Sequence, residues 1–70
     1  MLETPKSFIS LPGTTLLSTK TKHDLLQQIS NCASLFSDIQ VVNINGHDLN
    51  QPELYAVNLQ QINYITDYND

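Results

Sequence analysis

The sequence predicts an α+β fold in which one amphipathic helix packs on a small, mostly antiparallel twisted sheet, in the order β-β-α-β-β-β. Three observations predict it. One stretch, from Thr21 to Phe36, carries apolar residues at helical spacing. Runs rich in β-branched and aromatic residues lie on both sides of that stretch. The pairs Pro12-Gly13 and Asn45-Gly46 punctuate those runs with turn chemistry. A single helix beside several short strands buries its stripe only by lying on a sheet. Strands this short can also curl the sheet toward a small open barrel.

The elements follow in order. Met1 to Pro5 reads as a frayed start, and Lys6 to Leu11, with Phe8 and Ile9, as the first strand. Leu11-Pro12-Gly13-Thr14 is a turn, because proline pre-sets φ at its second position and glycine accepts the positive φ of a type II turn at its third. Thr14 to Thr19 returns as the second strand of a hairpin. Thr21 then caps a helix, with Asp24 in its first turn at the positive end of the dipole. Leu25, Leu26, Ile29, Cys32, Ala33 and Phe36 form its apolar face, and Gln27, Gln28, Ser30, Asn31 and Ser34 its polar one.

Asp38 to Asn45 reads as an interior strand, since Ile39 and Val41 point one way while Val42 and Ile44 point the other. Asn45-Gly46 is the strongest short turn signal in the chain. The polar run His47 to Gln51 ends at Pro52, which predicts a longer loop rather than a tight hairpin. Glu53 to Asn58 is the next strand, Asn58 caps a single turn through Leu59-Gln60-Gln61, and Ile62 to Tyr68 is the last strand. On that strand the alternation places Ile62, Tyr64, Thr66 and Tyr68 on one face.

Length and composition narrow the function. Seventy residues make one small α+β domain, residues 1–70, with too small a core to shelter a deep pocket as well. Charged residues are 14% of the chain, and polarity comes mainly from thirteen Asn and Gln side chains. The formal net charge is −4, the only cations are Lys6, Lys20 and Lys22, and from His23 onward six carboxylates face no Lys or Arg. Direct nucleic-acid binding needs the basic footprint that this small acidic protein lacks. The longest apolar run, Leu54-Tyr55-Ala56-Val57, is far short of a membrane span. Pro12 and Gly13 interrupt any signal-peptide stretch. One cysteine, Cys32, allows no internal disulfide, which fits a reducing, cytoplasmic setting.

The stretch Glu53-Leu54-Tyr55-Ala56-Val57-Asn58-Leu59-Gln60-Gln61-Ile62-Asn63-Tyr64-Ile65 resembles a pattern of small FlbD-type flagellar proteins. It is similar as well to small uncharacterised proteins of low-GC Gram-positive bacteria and their phages. Val57-Asn58 and Ile62-x-x-Ile65 carry the match, as a strand, a cap and an isoleucine-led strand. The resemblance covers residues 53–65 and implies a small β-rich fold of bacterial or phage origin. The helix between Thr21 and Phe36 departs from the FlbD type, so neither a flagellar role nor any functional residue carries over.

No catalytic constellation is legible. A zinc site needs three or four converging ligands, and His23, His47 and Cys32 are too few and too scattered; an exposed histidine and a buried thiol explain them. His47-Asp48 resembles a base and its orienter, but adjacent residues in a loop seldom face one another. Gly13 and Gly46, the only glycines, are too far apart to build a phosphate cradle. The expectation is therefore no enzyme, no metal and no cofactor. What remains is surface: Tyr55, Tyr64 and Tyr68 with Ile62, on the last two strands, form the candidate partner surface. The last strand, if an edge, invites strand addition. The leading expectation is a non-enzymatic protein-protein interaction module, a bacterial or phage accessory protein. The alternatives are a structural homo-oligomer paired through sheet edges and an acidic inhibitor of a basic nucleic-acid-binding protein.

Overall fold

The computed structural model describes residues 3–68. Two strands, β1 (Ser7–Leu11) and β2 (Thr14–Ser18), precede helix α1 (Lys22–Ser30). Strands β3 (Phe36–Ile44) and β4 (His47–Asn58) follow, then a 3-10 turn at Leu59–Gln61 and strand β5 (Tyr64–Asp67). The five strands form one antiparallel sheet in the order β4-β3-β2-β1-β5. Met1 and Leu2 of the predicted frayed start lie outside the described residues, whereas Pro5 is buried.

The local signals act as their chemistry requires. Gly13 closes the β1–β2 hairpin with φ +71°. The Thr21 hydroxyl accepts the Asp24 N–H at 3.1 Å, capping α1. The Asn58 side chain accepts the Gln60 N–H at 3.0 Å and caps the 3-10 turn.

Strand β3 begins two residues earlier than the sequence reading and ends one earlier, β5 is shorter at both ends, and two larger differences have a clear physical cause. The helix stops at Ser30, with Asn31 as its C-cap, instead of running to Phe36. The Ser30 hydroxyl donates to the Gln27 carbonyl, and the Ser34 hydroxyl accepts the Phe36 N–H, so short polar side chains compete with the helical ladder there. The chain must also turn back within 31–35 for Phe36 to pair with Asn58. Helical spacing past Ser30 is therefore coincidental. Cys32 and Ala33 lie in the crossing, and Phe36 opens β3.

The second correction concerns His47 to Pro52, expected as a loop. Asn45 (φ +53°) and Gly46 (φ +86°) form a two-residue turn, and His47 pairs directly with Ile44. Positive φ at both central residues matches the right-handed twist of the strands it joins. The polar side chains of 47–51 are compatible with a strand because β4 is an edge. Pro52 falls where Leu49–Pro52 stand opposite Val42 alone, a bulge at which its missing N–H costs no ladder bond. Gly46→Val should cost about 1–2 kcal/mol through its left-handed backbone alone, since nothing crowds the position. A urea titration measures this, and an unchanged midpoint would mean that the turn relaxes to another type.

The bulge also accounts for the imperfect alternation of β3. The β2 partners step from Asn43 to Val41, so Val42 is an extra residue and the facing resets across it. Ile39, Val41 and Ile44 consequently share one face; the expected opposition of Ile44 to Val41 does not occur. That face carries the core of Ile9, Leu16, Leu25, Ile39, Val41 and Val57. Leu25 is the one buried residue of α1, while Leu26 stays about half exposed. At the far end of the helix, the Gln28 amide donates to the Ser37 hydroxyl and the Asp38 carbonyl, both at 2.8 Å.

Candidate functional site

The sheet has two unlike faces. Directly opposed residues of an antiparallel pair lie on the same face, and successive residues alternate. Ile9 and Ile65 oppose one another and pack toward the core. Tyr64 and Thr66, with their partners Ser10 and Phe8, therefore lie on the face away from the helix. Phe8 is also opposite Leu17 of β2, and Leu17 opposite Asn43 of β3. The rings of Phe8 and Tyr64 stack, with centroids 6.1 Å apart and planes 26° from parallel. Tyr64 is 55% exposed, and Phe8 and Leu17 are half-buried. An aromatic and aliphatic row thus runs across β5, β1 and β2 on the helix-free face.

The four residues singled out by sequence divide. Tyr64 sits in this row. Tyr55 is opposite the buried Ile39, and both Tyr55 and Ile62 pack half-buried against the core. Ile62 lies before β5, following the 3-10 turn, and does not continue the Tyr64 face. Tyr68 follows β5 and is half-buried; its N–H donates to the Lys6 carbonyl at 3.0 Å. Phe8 and Leu17 were missed because only the order β5-β1-β2 brings them beside Tyr64. The even-numbered alternation of β1 was the one available signal.

The chemically versatile side chains are dispersed. His23 is exposed on the first helical turn, 4.0 Å from the Asp24 carboxylate, a surface contact that adds little. His47 and Asp48 are successive strand residues and so point to opposite faces; the Asp48 carboxylate accepts instead from the Asn43 amide at 2.9 Å. The same Asn43 accepts the Gly46 N–H at 2.9 Å, so this pair of residues fastens the turn. Cys32 is half-buried near the Ser34 and Phe36 carbonyls. Among the described residues, no three His, Cys, Asp or Glu side chains converge on a point where a metal ion could bind. No helix among them is long and apolar enough to cross a membrane.

No protein-family model matches this chain, and neither a curated protein nor a solved structure matches it significantly.

Proposed function

We propose that this protein is a non-enzymatic interaction module, a bacterial or phage accessory protein of the cytoplasm, that docks onto another protein through the helix-free face of its sheet. The observation that carries the reading is the exposed Tyr64 ring stacked on Phe8 and flanked by Leu17. Tyrosine joins a large apolar area to a polar tip at little entropic cost, which suits a surface that is wet when free and dry when bound. An exposed aromatic side chain on another strand, Phe36, extends the apolar character of the surface.

The test is a nuclease-treated pull-down from lysate of the source organism, with wild type and a Tyr64→Ser/Tyr68→Ser double variant as baits. The wild type is expected to enrich one partner, and the variant to lose it while keeping its circular dichroism. Retention of the partner by the folded variant would move the interface off this face.

Curvature belongs to the same proposal: the sheet curls toward an open barrel. β4 and β5 lie at opposite ends of the strand order, yet only residues 59–63 connect them. A flat sheet would hold its outer strands roughly 19 Å apart, four spacings of about 4.8 Å. A link with three residues in a 3-10 turn reaches only about 16 Å. Curling makes the outer face convex, a shape that presents Tyr64 and Phe8 to a partner.

A further inference from the structure

The free edge of β4 lies at the opposite end of the strand order from Tyr64. That edge is the free flank of the longest strand, and it carries Leu54, the most exposed large apolar side chain among the described residues at 70%. Natural edge strands are usually blunted by lysine, proline or a bulge. β4 carries Pro52 and its bulge in the first half of the strand, but from Leu54 to Asn58 it has neither, and no charge.

The direction of its main-chain groups follows from one hydrogen bond. The Leu59 N–H donates to the Leu35 carbonyl at 2.9 Å, which makes 35/59 a hydrogen-bonded pair of the β3–β4 ladder. By alternation, Ser37/Val57 and Ile39/Tyr55 are also such pairs. Leu54, Ala56 and Asn58 therefore turn their N–H and C=O groups outward, to the free edge. Such a row is completed by another extended strand.

We infer that the occupant is a second copy of this chain, with β4 pairing antiparallel to β4 about a two-fold axis at Tyr55. Leu54 of each copy then opposes Ala56 of the other, and these two pairs use every outward N–H and C=O of both residues. In this register Tyr55 opposes Tyr55 at the axis on the core side of the sheet, and on the other face the large Leu54 lies over the small Ala56 on each side of it. Centring the axis on Ala56 would leave two methyl groups facing one another and set Leu54 beside an Asn58 amide. Centring it on Leu54 would set Pro52, which has no N–H to give, opposite Ala56 within the pairing, whereas the Tyr55 axis moves Pro52 to the end of the pairing, opposite Asn58. Charge does not prevent the pairing. Glu53 opposes Val57 of the other copy, so the two Glu53 carboxylates sit about 13 Å apart along the strand, beyond the roughly 8 Å screening length of physiological salt. The product is a continuous ten-stranded sheet, built from two sheets of five, and its interface lies at the opposite end of the strand order from Tyr64.

Sedimentation equilibrium across a dilution series up to millimolar protein tests the inference, since one paired strand makes a small contact. Wild type is expected to pass from one chain mass to two, more readily at higher salt because each chain carries −4. Leu54→Lys should lose the dimer at every concentration with unchanged circular dichroism, while Thr66→Lys on β5 dimerises as wild type does. A wild type that stays monomeric throughout overturns the inference, as does a Leu54→Lys variant that dimerises normally or a Thr66→Lys variant that cannot dimerise. The register has its own test in a Cys32→Ser background. Oxidation of a mixture of Leu54→Cys and Ala56→Cys chains should yield the covalent heterodimer. Predominant Ala56→Cys homodimer, or no cross-link at all, would overturn the register. Loss of partner capture by the Tyr64 variant leaves this dimer intact, so the two readings fail separately.

Discussion

Leu25→Ala should detach the helix from the sheet and cost about 2–5 kcal/mol. A 70-residue domain has only about 4–10 kcal/mol to lose, so a fifth of the stability or more is at stake in one side chain. The size of the effect follows from how α1 is held. Nine residues are too few for a helix to persist by itself in water. Its caps satisfy its ends without fastening it to the sheet, and the Gln28 amide ties it to β3 only by polar contacts at one end. Of its apolar residues, Leu25 alone is fully buried, in contact with the strand residues of the core. Leu26→Ala is the control: at 48% exposure it should cost less than about 1 kcal/mol. Urea titrations read by far-ultraviolet circular dichroism give both numbers. Equal losses at the two positions would mean that the helix lies on the sheet by a wider face than Leu25 defines.

The second large effect is expected from a residue with no apolar surface to contribute. Ser18 is fully buried beside Ser7, its direct partner across β1 and β2. Its hydroxyl donates to the Gln40 carbonyl at 2.6 Å and accepts the Lys20 N–H at 3.1 Å. The Ser7 hydroxyl donates to the Lys20 carbonyl at 2.7 Å. The two serines therefore serve main-chain groups of the segment that leaves β2 for the helix, and one on β3. Ser18→Ala removes the partner of a part-buried donor and a part-buried acceptor together, at about 1–3 kcal/mol for the two. Ser30→Ala, which removes an exposed hydroxyl bonded to the Gln27 carbonyl, should change stability by less than about 0.5 kcal/mol. Thermal melts of the two variants separate these cases. A Ser18→Ala loss as small as that of Ser30→Ala would indicate that water replaces the hydroxyl.

Both results depend on contacts between residues distant in sequence, and this is where reading the chain alone reaches its limit. Leu25 and Leu26 are neighbours of equal hydrophobicity, and spacing assigned both to the helix face. Which of them is buried depends on the angle at which α1 crosses the sheet. Cys32, Ala33 and Phe36 continue the helical spacing, yet they belong to the crossing and to β3 because the pairing of Phe36 with Asn58 demands a reversal there. His47 to Pro52 is polar and interrupted by proline, yet it is strand, because an edge accepts polar side chains and a bulge accepts the proline. In each case a tertiary requirement outweighed a local preference.

The candidate surface divides in the same way. Tyr64 was identifiable from the chain as a tyrosine on a terminal strand, but the residues that complete its row, Phe8 and Leu17, lie about fifty positions away. Tyr55 and Ile62 look equivalent to Tyr64 in sequence and instead pack against the core.

By itself the sequence determined the α+β class, the Pro12-Gly13 turn, the Thr21 and Asn58 caps, the start of the helix and the interior position of the strand read at Asp38 to Asn45, though not its ends. All of these rest on φ preferences, short-range hydrogen bonds or an apolar period, which act within a few residues. The strand order, the reset of facing at Val42, the exposure of Leu54 and the partnership of Phe8 with Tyr64 were decided only by the tertiary structure. These depend on which strand lies beside which and in what register, and that choice comes from burying one common core, to which every part of the chain contributes at once.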